Sequence, residues 1–88
     1  MDRELDAHAL PIPSSFNCPI THDVMDDPVL TVDAHVFERA AIEEWFRRGR
    51  CTNPLTNEQL SSAVLTPDRQ LRTAIEEYMR LRPEVDAA

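Results

Sequence analysis

Apolar positions fall unevenly along the chain, and their spacing sets out the elements in order. Residues 1–11 are mostly polar and end at "LPIPSS", where Pro11 and Pro13 bar a regular helix and favour an extended lead-in. From Phe16 apolar residues become dense, with no helical period before residue 38. "PVLTVDAHVFE" holds two short β-branched and aromatic runs, Val29 to Val32 and Val36 to Phe37, split by Asp33-Ala34-His35, which predicts a small hairpin. Its turn is poorer than Asp-Gly, because a left-handed backbone costs Ala more than Gly. "ERAAIEEWFRRG" places Ala41, Ile42, Trp45 and Phe46 on one helical face, with Arg47 and Arg48 in the last turn and Gly49 just beyond. "CTNPLTNEQLSSAVL" reads as a loop around Pro54, with Leu55, Leu60, Val64 and Leu65 available to cover a core. "TPDRQLRTAIEEYMRLRP" predicts the last helix, with Thr66 as N-cap, Pro67 in the first position and Asp68 at the positive dipole end. Leu71, Ala74, Ile75, Tyr78 and Met79 form its stripe; Asp68 to Arg72, Arg72 to Glu76 and Glu76 to Arg80 set opposite charges four apart, and Pro83 stops it. The order is loop, hairpin, helix, loop, helix, without repeats: residues 12–80 form one folded unit, 1–11 an N-terminal tail and 81–88 a C-terminal tail.

Composition narrows the setting. Eighty-eight residues, 42% hydrophobic and 28% charged, suffice for one small core. A net charge of −7 argues against a phosphate-binding track, so nucleic acid is not an expected partner. No apolar run approaches a membrane span, and "MDRELDAHAL" is too acidic for a secretory leader. Cys18 and Cys51 are too few for a disulfide scaffold and read as reduced thiols, which points to an intracellular, cytoplasmic protein. A bacterial protein delivered into a host cell would share these features. All nine positive residues are Arg; lysine is absent.

The stretch "CPITHDVMDDPV" opens with Cys18 as a zinc knuckle would, but Thr21 stands where Cys-x-x-Cys needs a second thiolate. A two-zinc cross-brace requires eight ligands in closely spaced pairs. That spacing falls on Cys18, Thr21, Asp33, His35, Glu38, Ala41, Asn53 and Thr56. Cys18 and His35 are good ligands, Asp33 and Glu38 weak ones, and Ala41 none, so neither ion finds four. A cluster of Cys18, His22, His35 and Cys51 matches no known knuckle spacing. The expectation is therefore no metal, with loops held by a polar network of Asp33, Glu38, Arg39, Asn53 and Thr56.

The ordered motifs Cys-Pro-Ile, Met-x-x-Pro-Val, Glu-Arg-x-x-Ile-Glu-x-Trp, Pro-Leu-Thr and Leu-x-Pro before a helix, between Ile12 and Met79, resemble the U-box family, the metal-free relatives of RING domains. The resemblance implies an α+β fold of ββα type with two long loops, a central helix and a C-terminal helix, without zinc or another cofactor. It implies a ubiquitin ligase that binds a ubiquitin-conjugating enzyme charged with ubiquitin and promotes transfer to a lysine of a protein substrate, with no covalent intermediate of its own. Ile20 would supply the apolar anchor of the first loop, Pro54 that of the second, and Trp45 the floor between them. His22 stands where the family often has a bulky apolar residue, and belongs to the same docking set. Asn57 occupies the place of an Arg or Lys that, in many relatives, bridges the conjugating enzyme and its ubiquitin; it is the candidate linchpin, uncharged and shorter. Ala34 replaces the usual Gly and Phe37 the usual Tyr. Some relatives form homodimers through helix faces.

The rival to a ligase is an adaptor of the same shape that binds a partner without stimulating transfer. Cysteine nucleophile chemistry would need Cys18 or Cys51 beside a histidine base, which the spacing does not favour.

Overall fold

The computed structural model describes residues 12–81. After a single 3₁₀ turn at Ser14–Phe16 come β1 (Pro28–Leu30), β2 (Val36–Glu38), α1 (Arg39–Arg47), β3 (Thr66–Pro67) and α2 (Arg69–Arg80). The three strands form an antiparallel sheet in the order β2-β1-β3. The expected α+β architecture is present; the tails at 1–11 and 82–88, with Pro83, lie outside the described residues.

The hairpin is tighter than its apolar pattern suggests. β1 ends at Leu30 because the Thr31 hydroxyl bonds the Asp33 carboxylate, while the Thr31 N–H donates to the His35 carbonyl at 2.9 Å. These bonds divert the chain into the turn, leaving Val32 44% exposed. Ala34 there has φ 68°, the left-handed conformation anticipated for this position.

α1 follows β2 without a connector and ends at the expected place, with Gly49 at φ 85° just past it. α2 starts two residues later than predicted. Thr66 and Pro67 pair with Leu30 and Val29 as the sheet's edge, where a proline's missing N–H breaks no ladder. Asp68, not Thr66, is the N-cap, and its Oδ1 accepts from the Leu71 N–H at 3.1 Å.

The core gathers Phe16, Cys18, Met25, Val29, Phe37, Ile42 and Ile75. Tyr78 of α2 meets Phe16 edge-on, with ring centroids 5.5 Å apart. Of the loop residues expected to cover the core, Leu60 is buried and Leu65 half-buried, but Leu55 and Val64 are exposed. Ala74 also faces solvent, at the edge of the α2 stripe.

Candidate functional site

The expectation of a chain without repeats is corrected by its hydrogen bonds. "FNCPITHDVM" (16–25) and "CTNPLTNEQL" (51–60) fold as the same unit, 35 positions apart. In the first, the Cys18 N–H bonds the Asp23 carbonyl, His22 N–H bonds Cys18 O, Met25 N–H bonds Phe16 O, and Asn17 bridges Val24. In the second, Asn53 N–H bonds Glu58 O, Asn57 N–H bonds Asn53 O, Leu60 N–H bonds Cys51 O, and Thr52 bridges Gln59. Thr21 and Thr56 accept from the N–H two residues on, each at 3.2 Å. The fifth loop residue is left-handed in both: His22 and Asn57 each have φ 65°. Identity between the two segments is low; what they share is proline, an aliphatic residue and threonine in register.

Polar side chains hold the loops in two networks, and the Thr56 hydroxyl belongs to neither. In the first, the Glu38 carboxylate accepts from the Asp26 and Asp27 N–H groups at 2.8 and 2.9 Å. Arg39 Nε donates to Asp27 Oδ2 at 2.7 Å, and the buried Cys18 Sγ accepts from the Ile20 and Glu38 N–H groups at 3.4 and 3.3 Å. In the second, the fully buried Asn53 uses Nδ2 toward Asp33 Oδ2 and His35 Nδ1, both at 2.9 Å. Its Oδ1 accepts from Leu55 N–H at 2.8 Å and Thr56 N–H at 3.4 Å. One side chain thus ties the hairpin turn to the second loop. Hydrogen bonds from Thr31 and then Asn53 hold the Asp33 carboxyl below its ordinary range. Asp27, Thr31 and His35 complete networks in which the sequence pattern placed only Asp33, Glu38, Arg39, Asn53 and Thr56. Of the cross-brace positions, Cys18 and Glu38 meet in the first network and Asp33, His35 and Asn53 in the second, while the Thr21 and Thr56 hydroxyls bond only within their own loops and Ala41 lines the groove. Among the described residues no three His, Cys, Asp or Glu side chains form a group able to hold a metal.

Between the first loop and α1 lies an open groove of about 270 Å³, lined by Ile20, Ala41, Glu44, Trp45 and Arg48. It forms because α1 turns positions 41, 44, 45 and 48 to one side, while the first loop holds Ile20 half-buried against them. The Trp45 indole Nε1 donates to the Thr52 carbonyl at 3.0 Å and lies 3.2 Å from its hydroxyl, tethering the second loop to α1. The Arg50 guanidinium carbon stands 5.1 Å from the Trp45 ring centroid. Of the expected docking residues, Ile20 and Trp45 line the groove together. Pro54 is half-buried in the second loop, and His22 and Asn57 are exposed at the loop tips, all three outside that lining. Glu44, Arg50 and Thr52 were not singled out from the sequence, and Arg48 only as a cation in the last turn of its helix. The spacing of 41, 45 and 48 on one helix gave the signal for Arg48; the tether to Thr52 had none.

Comparison with known proteins fits this geometry. The chain is 46% identical over 70 residues to U-box domain-containing protein 36 of Arabidopsis thaliana, covering 80% of this chain and 16% of that protein. It is 46% identical over 68 residues to WD repeat, SAM and U-box domain-containing protein 1 of Homo sapiens, covering 77% and 14%. Against the E3 ubiquitin-protein ligase SPL11 of Oryza sativa subsp. japonica it is 37% identical over 78 residues, covering 89% and 11%. The chain therefore spans less than a fifth of these relatives. A family model described as the U-box domain matches residues 12–84, and the chain belongs to the U-box family, which includes an E3 ubiquitin-protein ligase.

Proposed function

We propose that the chain is a ubiquitin ligase module that docks a ubiquitin-conjugating enzyme in the groove between the first loop and α1 and accelerates transfer of its ubiquitin to a substrate lysine in the cytoplasm. The observation carrying this reading is that Ile20, Ala41 and Trp45 form an apolar cleft rimmed by charged side chains on loops that polar networks hold in place. Such a patch suits a transient protein interface, and a preset one loses less entropy on docking. Pro54 of the second loop, outside the groove lining, is the further apolar contact proposed for the bound enzyme. Transfer is intermolecular: the module supplies no nucleophile, and it acts by restricting the loosely tethered ubiquitin to conformations open to amine attack.

The test mixes the protein with a panel of charged conjugating enzymes and follows loss of the thioester to free lysine. The expected result is faster discharge for some enzymes, and near-complete loss of that acceleration with Ile20→Ala, from roughly 1 to 3 kcal/mol of lost docking energy, while circular dichroism stays native. Normal acceleration by folded Ile20→Ala rules out the groove. Binding without any acceleration favours the adaptor, a reading supported by the uncharged Asn57 at the linchpin position. Asn57 sits left-handed at the tip of its loop, a conformation Asn tolerates well. As a weak linchpin, Asn57 predicts that Asn57→Arg speeds lysine discharge and Asn57→Ala slows it, at unchanged docking affinity; equal rates in all three proteins remove it from the mechanism.

A further inference from the structure

Given the docking role of the groove, we infer that its cationic rim selects conjugating enzymes that carry carboxylates beside the apolar side chain they insert. Glu44 and Arg48 line the groove. Both oxygens of Glu44 are already engaged: Oε1 by Arg47 Nη1, and Oε2 by Arg48 Nε at 3.2 Å. Arg50 adds a third guanidinium against the Trp45 ring. Three guanidiniums against one carboxylate leave two surplus positive charges at the end of α1 that borders the cleft, in a chain whose total is −7. The C-terminal dipole of α1 offsets roughly half a charge and does not cancel them.

Among the described residues, two arginines elsewhere sit against carboxylates. Arg39 lies against Asp27 and Glu43, and Arg72 against Glu76. A partner with an acidic docking face is therefore repelled by most of this surface and attracted at the groove, which orients its approach as well as strengthening contact. Arg48 and Arg50 do not need to leave existing structure to meet it. Arg48 is 66% exposed, and contact with an aromatic face does not consume the in-plane N–H donors of a guanidinium such as that of Arg50.

The test measures binding of uncharged conjugating enzymes, chosen to span acidic to basic docking faces, at low and high salt. Arg48→Gln and Arg50→Gln are each expected to weaken binding of the acidic-faced enzymes roughly three- to tenfold at low salt, with the difference shrinking as salt rises. Arg50→Lys, which keeps the charge, binds like the native chain. Arg69→Gln, in a separate cleft beside Asp68 and Arg72, changes nothing. Replacing carboxylates on the enzyme's docking face by Lys is expected to restore affinity for Arg48→Glu. Thermal melts on every variant separate lost charge from lost fold. Undiminished binding by folded Arg48→Gln and Arg50→Gln across the panel overturns charge selection but leaves groove docking intact. No binding of any enzyme by the native chain overturns both.

Discussion

Asn53 is the residue on which the second loop depends. It is fully buried, and both its donors and its acceptor oxygen are occupied by groups from two separate segments. Asn53→Ala leaves the Leu55 N–H and the Asp33 carboxylate short of partners, at a cost of about 2 to 3 kcal/mol, and urea denaturation is expected to show it. Asp33 gives this network a pH signature. Its folded pKa lies below the ordinary value of 3.8, so its contribution is fully present above that pH and is lost as pH falls through the lower folded value. The urea midpoint of the native chain is expected to drop as pH goes below 3.8. Asp33→Asn lowers the midpoint at neutral pH and flattens the acid part of the curve; an unchanged acid slope would show that Asp33 does not hold the loop. Residue identities such as Asp33 and Asn53 were legible as polar substitutes at metal positions. Their split into two networks was not, because pairing across twenty residues depends on how the hairpin turn closes on the second loop.

At the level of elements, local chemistry accounts for α1 and for the existence of α2, whose apolar stripe delivers Ile75, Leu71, Tyr78 and Met79 toward the core. It fails at the start of α2, where Thr66-Pro67 satisfies helix-start rules yet pairs with β1. The sheet edge competes for the same two residues and wins, since β1 otherwise exposes its free backbone groups. The N-cap passes to Asp68, whose own N–H bonds the Pro28 carbonyl at 2.9 Å, coupling helix start to sheet edge. Asp68→Ala is therefore expected to cost about 1 kcal/mol, whereas Thr66→Val, which keeps a β-branched edge residue, costs little. Thermal melts of the two variants distinguish the caps, and a larger loss for Thr66→Val would return the cap to Thr66. The paired loops were hidden for a different reason. Their likeness lies in backbone bonds and in left-handed His22 and Asn57, while the outer residues differ. Only Pro, an aliphatic residue and Thr mark the register in the sequence. The groove inherits its half-legible character from this: Ile20 and Trp45 carry helical or motif spacing, but the Trp45 tether to Thr52 arises only when the loop closes.

Taken as a whole, the molecule presents cations without lysine amines. All nine positive side chains are Arg, and none of the 88 residues is Lys. A ligase module stands beside the thioester it activates, so its own lysines are the amines at highest effective concentration. Guanidinium stays protonated at any physiological pH and does not attack a thioester, whereas an ε-amine loses its proton readily enough to do so. Retaining charge as Arg keeps the ion pairs of α1 and α2 while removing the acceptors. Under the ligase reading, untagged protein incubated with a charged conjugating enzyme is expected to build free ubiquitin chains or discharge to added lysine, with little self-modification, limited to the N-terminal amine and to hydroxyls or thiols. Introducing one acceptor, Arg47→Lys at the end of α1 or Arg80→Lys at the end of α2, is expected to create a new isopeptide-linked species visible by peptide mass spectrometry. Under the docking reading Arg47→Lys, next in the chain to Arg48 of the groove lining, is expected to be modified faster than Arg80→Lys. Abundant hydroxylamine-stable self-conjugates away from the N-terminus of the native chain would contradict the account, since no side-chain amine exists to form them. Failure of both Lys variants to be modified while discharge remains fast would show that the acceptor geometry excludes the module itself, and that the absence of lysine has no protective role.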